Sequence, residues 1–208
     1  MKRILYILIV LMPFLTGCAK VVTPVFEPGK HITFDINFRG DLDTVQTRYY
    51  IIMNHASAPQ VPFAPVEFIE PGEKGSDPNE DYFGKYYPTW SHYIVLDGNT
   101  LYFVSSPYTY EAIPTKEVLA IWNAYDPKNI LLTFDMSKLG TLGNRLYFDV
   151  ITVDKETKMV KDNLSPLNNA LSPYSIFTIS DTTAAGSDEM ITGTWEARDI
   201  INWRVLIQ

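Results

Sequence analysis

Residues 31–39 read HITFDINFR, and no other stretch restricts the possible folds as strongly. Ile32, Phe34, Ile36 and Phe38 alternate without a break with Thr33, Asp35, Asn37 and Arg39. Successive side chains of a strand point to opposite faces, so this strict period of two predicts a strand with one buried and one wetted face. The next run, 47–53 (TRYYIIM), is dense in aromatic and β-branched residues and predicts a more deeply buried strand. Between them, Gly40-Asp41-Leu42-Asp43 is turn material.

The same grammar continues along the chain. Residues 92–96 and 100–104 flank Asp97-Gly98-Asn99, a strong hairpin signal because glycine accepts a positive φ without steric penalty. A second hairpin is predicted from 145–153 through Asp154-Lys155-Glu156-Thr157 to 158–160. Residues 130–136, 174–179 and 200–207 complete a set of eight or nine strands. Residues 114–122 fit a short helix or a strand, with strand the better reading of Val118, Ile121 and Trp122; residues 165–170 hold at most one helical turn. Short strands separated by Gly, Pro, Asn and Asp turns, without strand–helix alternation, predict an all-β, antiparallel two-layer sandwich, immunoglobulin-like or jelly-roll-like. No fixed-period repeat points to a propeller or solenoid. The sandwich is expected to occupy 31–208 as one domain, since a chain of this length buries a full core.

One segment breaks the pattern. Residues 56–88 contain Pro59, Pro62, Pro65, Pro71, Pro78 and Pro88 with Gly72, Gly75 and Gly84, and only 66–69 (VEFI) resembles a strand. A connection this long is uncommon in a compact domain and marks the best candidate for a binding face. It runs into Tyr82, Phe83, Tyr86, Tyr87, Trp90 and Tyr93, with Tyr108 and Tyr110 beyond. Flat rings with polar tips suit the apolar faces of sugars as well as protein surfaces, so Tyr86, Tyr87 and Trp90 are the candidate ligand-binding residues. The competing role for such rings is simple core packing.

The N-terminus sets where the chain resides. Lys2 and Arg3 precede an apolar run over 4–14, which has the charged start and apolar length of an export signal. That run is shorter than the 20 or so residues a spanning helix needs. It ends at Leu15-Thr16-Gly17-Cys18, and Cys18 is the single cysteine of the 208 residues. These four positions, in this context, resemble the lipobox of bacterial lipoprotein signal peptides. The resemblance implies cleavage before Cys18, a diacylglyceryl thioether on its sulfur, and membrane attachment through lipid. Ala19 resembles the residue that sends such proteins to the outer membrane in Gram-negative cells. Residues 1–17 are thus expected to be a signal peptide, and 18–30, with Pro24, Pro28 and Gly29, a tether. Two or more acyl chains hold a protein on a bilayer where one does not.

Charge and chemistry narrow the rest. The whole chain carries a net charge of −7, and cleavage removes two positive charges and no negative ones. That acidity opposes nucleic acid and anionic headgroups, so membrane contact is expected through the lipid on Cys18 and not through side-chain charge. One cysteine forms no intrachain disulfide, so stability has to come from packing.

No Gly-x-Ser-x-Gly elbow, phosphate-binding glycine loop or His-Glu-x-x-His pair is present. His31, His55 and His92 are scattered and read as surface or half-buried. Glu67 and Glu70 stand among many carboxylates, and a glycosidase pair is defined by distance in space. Asp77-Pro78-Asn79-Glu80-Asp81 begins like a calcium loop, but Tyr82 stands where glycine is needed and Pro88 where the bidentate glutamate is needed. The expectation is a non-catalytic envelope lipoprotein without cofactor or metal. Its partners would be the membrane together with an envelope protein or, alternatively, a glycan bound over 82–93.

Overall fold

A computed structural model describes residues 30–62, 65–73, 85–108, 113–122, 125–140, 145–164, 175–178, 183–188 and 195–208. Among the described residues there are eleven strands: β1 (His31–Phe38), β2 (Thr47–Asn54), β3 (His92–Asp97), β4 (Thr100–Ser105), β5 (Glu117–Ile121), β6 (Asn129–Asp135), β7 (Arg145–Asp154), β8 (Val160–Asn163), β9 (Ser175–Thr178), β10 (Thr183–Ser187) and β11 (Ile200–Ile207). They form two antiparallel sheets packed face to face. One has the order β10-β11-β1-β6. The other runs β5-β4-β3-β2-β7-β8, with β9 also pairing β7. The chain is an all-β sandwich.

The period of two decides which residues meet. Ile32, Phe34, Ile36 and Phe38 of β1 join Ile130, Leu132 and Phe134 of β6 and Trp203 and Val205 of β11. They pack on Tyr49, Ile51 and Met53 of β2 and Leu146, Phe148 and Val150 of β7. Phe34 meets Phe148 edge-on with centroids 5.3 Å apart, and Phe38 meets Tyr49 at 5.1 Å. Each fully buried side chain of this size contributes roughly 1.5–3 kcal/mol of transfer free energy. Gly186 of β10 lies flat on Trp203: a Cβ there would come 2.7 Å from the indole, so only glycine admits this approach.

The hairpin β3–β4 turns at Gly98-Asn99. Gly98 adopts φ +63° in the first loop position. The second hairpin, β7–β8, turns through 155–157, where Asp154 Oδ1 accepts from the Glu156 and Thr157 amides at 3.0 and 2.7 Å. Residues 117–121 form a strand, as the better of their two readings required. Residues 66–69 do not: they lie against a sheet face instead of joining an edge. Pro62, Pro65 and Pro71 bracket this stretch and lack the donors a ladder needs.

That stretch belongs to a third layer. Alternate residues of the seven-stranded sheet, Tyr50, Ile52, Tyr93, Val95, Val104, Ile151 and Val153, point away from the sandwich core. They build a second core with Val61, Phe68, Ile69, Tyr86, Tyr87 and Trp90. The described parts of the long segment therefore cover the outer face of this sheet. This explains why β2 is buried along both faces.

Residues 1–29, with Cys18 and the expected signal and tether, lie outside the described residues, as do 165–170 and the acidic stretch 77–81. No helix among the described residues is long and apolar enough to cross a membrane.

Candidate functional site

The three rings expected to face a ligand lie inside the second core. Trp90 is 2% exposed, Tyr87 4% and Tyr86 5%. Trp90 stacks on Phe68 at 5.7 Å with planes 17° apart, and meets Tyr87 edge-on at 5.2 Å. Its indole N–H donates to Gln60 O at 2.6 Å, and Tyr87 OH donates to Ile69 O at 2.9 Å. The polar tips of Trp90 and Tyr87 are used to hold the covering layer, and their rings pack against neighbouring rings. The open aromatic platform is therefore corrected to a packed layer. A sheet with two apolar faces needs a cover, and the long segment carries the rings that provide it.

A depression remains beside them. It has a volume of about 270 Å³ and is lined by Tyr87, Pro88, Trp90, Ser106, Pro107 and Tyr108. Tyr108 packs on Tyr93 at 5.8 Å and on Tyr87 at 5.9 Å, and its buried hydroxyl has no hydrogen-bond partner among the described residues. Burial raises the pKa of this phenol well above its ordinary value.

The densest polar constellation was not visible in the sequence. Glu70, carried by the covering layer, is 1% exposed. Its Oε1 accepts from Tyr93 OH at 3.0 Å and pairs with Lys116 Nζ. Its Oε2 accepts from Tyr50 OH at 2.9 Å and faces Arg48 Nη1 at 3.3 Å. Arg48 also pairs with Glu73 and, through Nε, with Asp97 at 3.2 Å, and Lys155 reaches Asp97 at 2.6 Å.

Three carboxylates thus meet three cations. Tyr50 and Tyr93 are held far above ordinary phenol values, first by burial and then by the Glu70 charge. Burial pushes Asp97 up, but the Lys155 hydrogen bond and the charges of Arg48, Lys155 and Lys116 outweigh it and hold Asp97 below its ordinary value.

Four partners engage both oxygens of Glu70, so it offers neither base nor ligand. The adjoining cavity, beside Arg48, Tyr50 and Glu73, is only about 50 Å³. The constellation acts as a clamp between sheet and cover. Glu67, the other carboxylate of the pair considered above, is half-buried and is not among these partners.

A second buried acidic group lies where β7, β8 and β11 meet. Asp149 Oδ1 accepts from the Leu164 amide at 3.2 Å, and its Oδ2 faces Asn163 Nδ2 at 3.3 Å. Asp162 accepts from the Ile200 and Asn163 amides at 2.7 and 2.9 Å. Burial, reinforced by nearby Asp188, pushes Asp149 up to about 7; burial, with Asp188 and Asp199, pushes Asp162 to about 8. Among the described residues the buried Asn163 Oδ1 has no partner. Rotating that amide lets a protonated Asp149 donate to it.

These acids hold protons in the folded state that the unfolded chain releases near pH 4, so stability falls as pH rises from 4 towards 8. His92, lowered to about 4 by burial and the charge of His55, contributes the opposite slope between pH 4 and 6.5. The clean window is pH 6.5–8. There the unfolding free energy should drop by about 2 kcal/mol in urea titrations, and Asp149→Asn should flatten part of the drop. A stability that is level or rising across that window would contradict the assignment.

His31 and His92 are half-buried and His55 is exposed; His92 stacks on Phe103 at 5.3 Å. Among the described residues no three His, Cys, Asp or Glu side chains are placed to hold one metal ion. Fold and site together define a class, an antiparallel β-sandwich carrying a second aromatic core clamped by a buried carboxylate. No protein-family model, no curated protein and no solved structure matches the chain.

Proposed function

We propose that this chain is a lipid-anchored lipoprotein of the bacterial cell envelope whose β-sandwich serves as a binding or structural module. The observation that carries the reading is Leu15-Thr16-Gly17-Cys18 behind a charged, apolar N-terminus, with the only cysteine of the chain at the lipobox position. An export signal followed by a lipobox-type cysteine leads to a thioether-linked diacylglycerol on that sulfur, and two chains give stable anchorage.

A non-catalytic role is supported by how the described ionisable groups are used. Glu70, Arg48, Asp97 and Lys155 neutralise one another beneath the cover, and Asp149 and Asp162 accept backbone amides. The test is metabolic labelling of the full chain with a fatty-acid analogue, followed by mass analysis of the N-terminal peptide. Wild type should carry acyl mass on Cys18 and sediment with membranes, and Cys18→Ser should lose both. An unacylated Cys18, or a chain found free of membranes, refutes the anchor.

The 270 Å³ depression favours a second reading, in which a glycan is bound beside Ser106 and Tyr108. It is just below the usual size of small-ligand pockets, and it sets the Ser106 side chain beside the rings of Tyr87, Trp90 and Tyr108. Tryptophan fluorescence titrated with mono- and oligosaccharides should respond in wild type and not in Ser106→Trp, which fills the space. No response to any sugar removes this reading.

A further inference from the structure

The geometry points to the free edge of β6 as a self-association site, at which a second copy of this chain pairs antiparallel and joins two four-stranded sheets into one. The hydrogen-bonding phase of β6 sets which groups are available. The Phe38 amide donates to Lys128 O at 2.9 Å and the Met136 amide to Lys30 O at 2.9 Å, both on the β1–β6 register. Even-numbered residues of β6 therefore bond to β1, and Asn129, Leu131, Thr133 and Asp135 direct their amides and carbonyls outward. Asn129 is already engaged: its amide donates to Asp126 O at 3.2 Å, and its carbonyl accepts Trp122 Nε1 at 3.0 Å. Leu131 and Thr133 have no such partners among the described residues. Their outward donors and acceptors form a bare ladder segment on the last strand of the sheet.

Other edges carry protection that β6 lacks. β5 is interrupted by a bulge opposite Leu101/Tyr102, and β10 is short and built from Thr, Ala, Gly and Ser. β6 pairs β1 over its full length without a bulge and contains no lysine or proline, the usual devices against edge pairing. Lys128 and Lys138, which flank it, are occupied by Arg39 O and Glu117. Leu131 stands 62% exposed on the outer face, with Val118 and Ile121 also exposed on β5, the free edge of the opposite sheet.

The sequence of β6, NILLTFD, is complementary to itself when reversed about Leu132. Leu131 then lies opposite Thr133 of the second copy, both with outward backbone groups, so two hydrogen-bonded pairs form across the two-fold axis. Ile130 faces Phe134 and Leu132 faces its own copy, extending the apolar inner row. Asn129 meets Asp135, so no two like charges are opposed. An arbitrary extended peptide would meet the same backbone groups without this side-chain match, so the occupant is a second copy.

The test uses the full-length chain in detergent. Sedimentation over rising concentration should show monomer passing to dimer, and Leu131→Lys should weaken association about tenfold or more. Thr133→Pro, which deletes an outward amide and spares the β1 ladder, should do the same. Leu131→Lys should melt like wild type when dilute; Thr133→Pro also gives up the 2.8 Å bond between the Thr133 and Thr33 hydroxyls, and if it misfolds, Leu131→Lys still decides. Mixed L131C and T133C chains should form an interchain disulfide in higher yield than either chain alone. A wild type that stays monomeric up to about 1 mM, a dimer that both substitutions leave intact, or a cross-link to a different protein with none to a second copy would each overturn the proposal.

Discussion

Glu70→Ala should lower the unfolding free energy by about 3–5 kcal/mol, read from urea denaturation at neutral pH. The carboxylate is buried and holds four partners at once, Arg48, Lys116, Tyr50 and Tyr93. Removing it leaves two phenols without an acceptor, and both cations lose their buried counter-charge. A group stranded in this way costs more than the intact pair ever contributed. Glu73 also meets Arg48 but is 30% exposed, so Glu73→Ala should cost under about 1 kcal/mol. The contrast between two glutamates three residues apart on one arginine is the discriminating observation. Equal small losses would mean that the clamp contributes nothing. Hydrogen exchange adds a local reading: amides over 66–73 should lose protection in Glu70→Ala before those of β1 and β11 do.

Trp90→Ala should cost about 3–5 kcal/mol, the range for removing a buried tryptophan. The indole stacks on Phe68, touches Tyr87, Tyr93 and Tyr108, and donates to Gln60 O. Truncation empties the middle of the second core and also strands a carbonyl of the covering layer. Trp90→Phe keeps a ring and loses the donor, so its cost should be nearer 1–2 kcal/mol. A surface platform would behave otherwise, with alanine there changing stability by less than about 0.5 kcal/mol. The size of the loss therefore separates a core ring from a ligand-facing one by measurement.

The two substitutions also mark where sequence reasoning stops. The strand around Phe34 follows from alternation, that around Tyr50 from its run of aromatic and β-branched residues, and that around Phe148 from its place in a hairpin, all of them local properties. The Gly98 hairpin is equally local, since a positive φ is set by neighbouring atoms. The rings at 86–90 show the other case. Their amphipathic character suits a sugar face and a packed interior alike, and the choice depends on whether the outer face of the seven-stranded sheet is already covered. β10, with Ala184, Ala185 and Gly186, has almost no strand signature of its own. It is held by its pairing with β11 and by the indole of Trp203 pressed on Gly186. Glu70 stood out only as one carboxylate among many, with no sign of its burial. Its partners lie at positions 48, 50, 93 and 116, and nothing in the residues around it announces a buried carboxylate.

Alternation, turn chemistry and the placement of one cysteine were enough to establish an antiparallel sandwich and to motivate the expectation of a lipid-held N-terminus. Each depends on atoms within a few bonds or a few residues of one another. Tertiary structure alone decided that the sandwich has a third layer, that Glu70 locks it, and that β6 ends its sheet with Leu131 and Thr133 facing outward. Those outcomes depend on which distant segments arrive at the same surface. A chain buries its apolar area by whole faces, and the fate of a face is known only when every segment that competes for it has been placed.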